Sequence, residues 1–153
     1  MTVRLREAGA ADGALLFEWV NSPDSLANKE RTEGSIPRAE HECWFAKRLS
    51  DPATRIWIVE VDSQPIGQVR LQCNAGVAEV DIYIAVEQRG RGYARAALRD
   101  AIAYFRQNEP ERPIVARVLT DNSASLALFE SLGFAVARKD AAVREYRLVG
   151  DTK

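Results

Sequence analysis

Between Glu79 and Phe105 the hydrophobic period of the chain changes once. Val80, Ile82, Ile84 and Val86 alternate with Glu79, Asp81, Tyr83 and Ala85, the two-residue period of a half-buried β-strand with one face toward a core and one outward. Ala94, Ala97, Leu98, Ala101, Ile102 and Phe105 then recur at helical spacing along a single stripe. Between the two lies Glu87-Gln88-Arg89-Gly90-Arg91-Gly92, so a strand hands over to a helix across two glycines and two arginines. The first N–H groups of a helix lack intrahelical partners and carry the positive end of its dipole, and glycine lets another molecule reach the backbone. The turn is therefore a candidate anion site, above all for phosphate.

The same two periods locate the other elements. Val3 and Leu5 alternate with Arg4 and Arg6 as a first strand. Leu15, Leu16, Trp19 and Val20 share a helix face behind Asp12 as cap, and Asn21-Ser22-Pro23 closes that helix. Residues 23–36 have no period and are expected to form a loop with room for one helical turn. Pro37 suits the first turn of a second helix carrying His41, Trp44, Phe45, Arg48 and Leu49, which Asp51-Pro52 stops. Two further strands, around Ile56–Val59 and Ile66–Cys73, are joined by Asp62-Ser63-Gln64-Pro65, and Asn74-Ala75-Gly76 turns the second into the central strand. After a break at Asn108-Glu109-Pro110, Ile114–Leu119 is β-rich enough to be a buried strand. Asp121, Asn122 or Ser123 then caps a helix with Leu126, Phe129 and Leu132, ending at Gly133 as left-handed C′ residue with Phe134 folded back. Val143–Val149 is the last strand expected.

Composition narrows the function. The 153 residues suit one domain spanning 1–153. With 21 Lys plus Arg against 22 Asp plus Glu, the net charge of −1 provides no global field for nucleic acid or an anionic membrane. No apolar run has the length of a membrane span, and MTVRLREAG lacks the hydrophobic region of a signal peptide; a cytoplasmic location without membrane partners is the expectation. Cys43 and Cys73 are too sparse for a disulfide framework and are expected as buried free thiols. His41, two residues before Cys43, belongs to no complete set of zinc ligands, so no metal is expected.

The glycine turn departs from two familiar phosphate motifs. Arg95 stands where a dinucleotide fingerprint would need its third glycine, and no Gly-Lys-Ser/Thr follows as in a P-loop. The turn resembles instead the acyl-CoA loop of the GCN5-related N-acetyltransferases, whose pattern of Gln or Arg, two residues, Gly, one residue, Gly or Ala is met by Arg89, Gly92 and Ala94. About thirty residues on, Asn122-x-x-Ser125-x-x-x-Phe129-x-x-x-Gly133-Phe134 extends the resemblance, and the element order carries it over nearly the whole chain. The resemblance implies an α/β (α+β) fold: a mixed, mostly antiparallel sheet of six or seven strands flanked by about four helices, with the fourth and fifth strands splayed. It implies acetyl-CoA as cofactor in the gap, the backbone of Ile84, Ala85 and Val86 pairing with the pantetheine arm. The pyrophosphate would be wrapped by Arg89, Gly90, Arg91, Gly92, Tyr93 and Ala94, loop amides first and arginines second, with Asn122, Ser125 and Phe129 completing the site. Strands that part leave backbone groups in need of partners, and an amide-rich arm supplies them.

Acetyl transfer requires a neutral amine, a base to take its proton and a group to meet the leaving thiolate. The resemblance makes Glu79 the first candidate base and Asp81 the second; the alternative is that both are simply a solvated strand face. Where relatives often place a tyrosine as proton donor the chain has Phe129, which leaves Ser125, Tyr83, Tyr146, water or an unassisted thiolate. The stretch Leu15–Pro23 together with His41-Glu42-Cys43-Trp44-Phe45 resembles acetyltransferases of nucleotide-activated amino sugars, including those of pseudaminic acid-type pathways. It thereby implies Trp19, His41 and Trp44 as acceptor-binding residues; the alternative is that the aromatic pair of Trp44 and Phe45 is core and His41 a satisfied structural histidine. Ser25-Leu26-Ala27 stand where those enzymes often carry an arginine. The expected activity is transfer of an acetyl group to a primary amine of a small molecule, a nucleotide-linked amino sugar foremost. The alternatives are a protein or peptide N-terminal acetyltransferase and a non-catalytic acyl-CoA-binding module. An open acidic groove beside Trp19 and Trp44 would favour a peptide, and a closed aromatic one a sugar nucleotide.

Overall fold

A computed structural model describes residues 2–23, 25 and 35–150. Most of the unpatterned 23–36 segment lies outside the described residues; Pro23 and Ser25, at its start, are helical. In chain order the elements are β1 (Val3–Glu7), a 3₁₀ turn (Ala10–Asp12), α1 (Gly13–Val20), α2 (Arg38–Ser50), β2 (Thr54–Val61), β3 (Gln64–Asn74), β4 (Val77–Ile84), a second 3₁₀ turn (Val86–Gln88), α3 (Tyr93–Arg106), β5 (Ile114–Leu119), α4 (Ser123–Ser131), β6 (Ala135–Lys139) and β7 (Val143–Leu148). The strands form one seven-stranded sheet in the order β1-β2-β3-β4-β5-β7-β6. Every neighbouring pair is antiparallel except β4 and β5. This is the mixed, mostly antiparallel architecture that the family resemblance implies.

Local chemistry sets the hairpins. Asp62 and Ser63 (φ 51° and 64°) turn β2 into β3, and Ala75 and Gly76 (φ 50° and 84°) turn β3 into β4. Two successive left-handed residues match the right-handed twist of the strands they join. Strand parity then sorts the core into two. Trp57, Val59 and Val61 of β2 belong to the larger cluster, with Leu71 of β3, Val80 and Ile84 of β4, and Ala97, Leu98, Ala101 and Phe105 of α3. Ile56 and Ile58, on the opposite face, form a smaller cluster with Leu16, Trp19 and Phe45 from α1 and α2, against which Trp44 and Tyr83 pack in part. Leu71 and Leu98 are fully buried, so truncating either to alanine would cost about 2–5 kcal/mol.

Several expectations need correction. The face of β4 that carries Asp81 and Tyr83 is divided: Asp81 is exposed, as a solvated face should be, while Tyr83 is half-buried against Trp19 of α1. The strand stops at Ile84, and Val86 enters the second 3₁₀ turn 56% exposed. Ala85 is buried instead, its N–H donating to the Ile66 carbonyl at 2.7 Å. Pro37 does not join the helix: its ψ of 146° is extended, and α2 starts at Arg38. Cys43 is exposed and Cys73 half-buried, rather than both being buried. β6 appears in no hydrophobic period, because all of its residues are exposed and only the ladder to β7 makes it a strand.

Candidate active site

The parallel pair at the centre of the sheet is short. β4 and β5 pair only at Ala78↔Ile114 and Glu79↔Val115, after which β4 continues with β3 and β5 with β7. From Val80 onward the two facing edges part, and a cleft of about 440 Å³ opens between them. Unpaired strand edges demand hydrogen-bond partners. Because Ala85 turns its N–H to β3, the alternating backbone turns Ile84 toward the gap, where the Ile84 carbonyl accepts from Arg89 Nε at 2.7 Å. Of the three residues expected along the pantetheine arm, Ile84 lines the cleft, while Ala85 and Val86 do not; Ile82 takes the second edge position.

One wall of the cleft is the glycine turn. Gly90 and Gly92 have φ of 78° and 82°, and nothing lies within 4 Å of where a Cβ would sit on either. Gly92 is the N-cap of α3, so the free N–H groups of that helix start beside the cleft. Gln88, Arg89, Gly90, Gly92, Tyr93, Ala94 and Arg95 line it, and Arg91 does not. The Arg89 guanidinium lies 5.3 Å from the centroid of the Tyr83 ring.

The opposite wall is α4. Of the three cap candidates it is Asn122 whose side chain accepts, from the Ser125 N–H at 3.3 Å. Asn122, Ser125 and Phe129 all line the cleft, one face of a helix at i, i+3 and i+7. Phe129 is locked edge-on against Phe134 (5.1 Å) and stacked on Tyr146 (6.3 Å). Gly133 at φ 89° lets the Phe134 N–H return to the Phe129 carbonyl at 3.1 Å. Tyr146 is fully buried and away from the cleft, its hydroxyl donating to Glu130. Burial first, then the Glu130 carboxylate, raises its pKa above the usual tyrosine value. It is no proton donor for the cleft, whose hydroxyls include Ser125 and Tyr83.

The third part lies under α1 and α2, where cross-strand rows bring side chains together. Ile56, Arg70 and Asp81 form one row, and Ile58, Gln68 and Tyr83 the next. Asp81 Oδ2 accepts from Gln68 Nε2 at 2.9 Å, and the Trp19 ring packs tilted against Tyr83 with centroids 5.7 Å apart. His41 is buried among Phe17, Trp44 and Phe45. Trp19, His41, Trp44 and Asp81 all line the cleft, whereas Glu79 does not. Glu79 sits a row earlier, where β4 is still paired on both sides. Sequence reasoning missed Gln68 and Arg70 on β3 and Arg117 on β5. The alternation of Gln68, Arg70 and Gln72 was readable, but the face it occupies depends on register with β4.

A split strand pair beside an open helix N-terminus is suited to a long ligand with amides along its length and phosphates at one end. Acetyl-CoA is such a molecule, and the uncovered space at Gly90 and Gly92 accommodates it. The Acetyltransferase (GNAT) domain family model matches residues 2–135. The chain belongs to that family and is an acetyl-CoA-dependent N-acetyltransferase. Among solved structures it is similar to spermidine N-acetyltransferase from Vibrio cholerae, in complex with CoA and spermine, at 23% identity over 97% of this chain and 95% of that one, TM-score 0.83. It is also similar to yncA, a putative acetyltransferase from Salmonella typhimurium with its cofactor acetyl-CoA, at 20% identity over 100% and 96%, TM-score 0.83. A GNAT-family acetyltransferase from Streptococcus pneumoniae matches at 19% identity over 98% and 100%, TM-score 0.78. No curated protein sequence matches.

Proposed function

We propose that the acceptor is a small molecule with a primary amine, a nucleotide-linked amino sugar being the class that the aromatic acceptor end favours. Trp19, Trp44 and Tyr83 border that end of the cleft, and Asp81 is the one carboxylate among the described lining residues. Among the described lining residues this end is aromatic more than acidic, the character that suits a sugar nucleotide. In this reading Gly90, Gly92, Tyr93 and Ala94 hold the pyrophosphate with backbone N–H groups, and Ile82 and Ile84 pair with the pantetheine arm. Acetyl-CoA supplies the activated acyl group. Asp81, oriented by Gln68, takes the amine proton, and the hydroxyl of Ser125 or Tyr83 meets the thiolate, whose modest pKa asks little of a donor. Glu79, outside the cleft, holds no part in it.

Thiol release from acetyl-CoA, measured with a nucleotide-linked amino sugar, a short peptide and spermidine, tests the acceptor. The sugar nucleotide is expected to give the highest kcat/KM. A peptide or spermidine preferred over it overturns the assignment. Binding of acetyl-CoA with no release for any amine would make the chain an acyl-CoA-binding module.

A further inference from the structure

The acceptor end contains a cation for which neither proton transfer nor cofactor binding has a use. Arg70 stands directly opposite Asp81 in the β3–β4 ladder and next to Ile56 of β2, half-buried and lining the cleft. Its guanidinium lies 5.0 Å from the centroid of the Trp44 ring. Among the described residues it makes no ion pair. An arginine on an indole uses its π face and keeps its N–H fork for a carboxylate or a phosphate, which it binds in bidentate fashion.

The surroundings point the same way. Among the described residues of this end, Arg70 stands beside the one lining carboxylate, Asp81; Arg89 and Arg95 belong to the glycine-turn wall, and Arg117 pairs with Glu145 at 3.7 Å. A polycationic amine would meet like charge there and leave Arg70 unsatisfied. Directly opposed side chains on neighbouring strands have Cβ atoms about 5 Å apart, so a group on Arg70 and an amine at Asp81 belong to one compact molecule. We propose that Arg70, supported by Trp44, selects an acceptor bearing an anionic oxygen group, carboxylate or phosphate, within a few bonds of the amine that is acetylated. This rests on the acetyltransferase reading of the cleft.

Thiol release with the full chain tests it on matched acceptors: an amino acid against its amide, and an amino-sugar phosphate against the unphosphorylated amino sugar, with spermidine as polycation. Rates are corrected for the fraction of each amine that is unprotonated. In at least one pair the charged member should win by about 10- to 100-fold in kcat/KM, mostly through KM, and the pair that responds identifies carboxylate or phosphate. Arg70→Gln should bring that ratio close to one, and Arg70→Lys should restore part of it. An acetyl-CoA titration confirms that each variant is folded; Trp44→Leu, which removes the support and keeps the charge, should lower the same ratio if Arg70→Gln does not fold. Equal rates within both pairs, spermidine as the best acceptor, or an unchanged ratio in the variants would overturn the proposal while leaving the enzyme an acetyltransferase. No release with any amine would remove the acetyltransferase reading and this proposal with it.

Discussion

Replacing Asp81 by asparagine isolates proton transfer from architecture. Asp81 is exposed on β4, and its one side-chain hydrogen bond is accepted from Gln68 at 2.9 Å. Asparagine has the same shape and its Oδ1 accepts equally well, so stability should change by no more than about 0.5 kcal/mol. What disappears is the ability to take a proton. A positioned general base is worth about 10²–10⁴-fold, or about 2.7–5.5 kcal/mol at 1.36 kcal/mol per factor of ten. Thiol-release kinetics should place that loss in kcat with acetyl-CoA binding intact. The residual rate should climb with pH as solvent deprotonates the amine in place of Asp81. Glu79→Gln in parallel separates the two carboxylates, since Glu79 stands where β4 is still paired with both neighbours. Wild-type rates in Asp81→Asn, or a loss of this size in Glu79→Gln instead, would refute the assignment and move the reacting amine one row back along β4.

Three other outcomes follow from the geometry. A Cβ on Gly67 would lie 2.1 Å from the Tyr83 carbonyl, and backbone cannot step aside cheaply; Gly67→Ala should lose about 1–3 kcal/mol or more in a denaturant titration and displace the end of β4 that borders the cleft. Gly92→Ala and Gly133→Ala both force alanine into left-handed backbone without a steric neighbour closer than 3.9 Å, each costing about 1–2 kcal/mol, yet calorimetry should find weakened acetyl-CoA binding only for Gly92→Ala. The hydrogen bonds from Arg6 hold the Asp12 carboxyl below the usual carboxylate range. Its contribution is therefore present in full above the unfolded-state value of about 3.9 and lost as pH falls through the depressed folded-state value, so Asp12→Asn should flatten the acid limb of a stability-against-pH curve.

The elements that the sequence makes legible are those whose period is set by burial. The Val80–Ile84 alternation and the Ala94–Phe105 stripe both survive into the structure, because the same larger core receives them. Gly92 and Gly133 were readable because only a left-handed residue ends or begins those helices as observed. β6 was not, since an all-exposed edge strand has no hydrophobic signature. Nor was the order of Glu79 and Asp81 relative to the split, because both alternate identically along β4 and only the two-residue length of the β4–β5 ladder divides them. Gln68 and Arg70 enter the site through cross-strand register, a property of two segments at once. Pro37 misled by a single position: proline fixes φ, while its extended ψ keeps it outside the helix.

A crystal structure of the chain with coenzyme A bound decides whether the gap between β4 and β5 receives acetyl-CoA. The pyrophosphate is expected on the backbone amides from Gly90 to Ala94, the pantetheine arm along Ile82 and Ile84, and the sulfur nearer to Asp81 than to Glu79. Coenzyme A bound outside this gap, or its sulfur against Glu79, would contradict that placement.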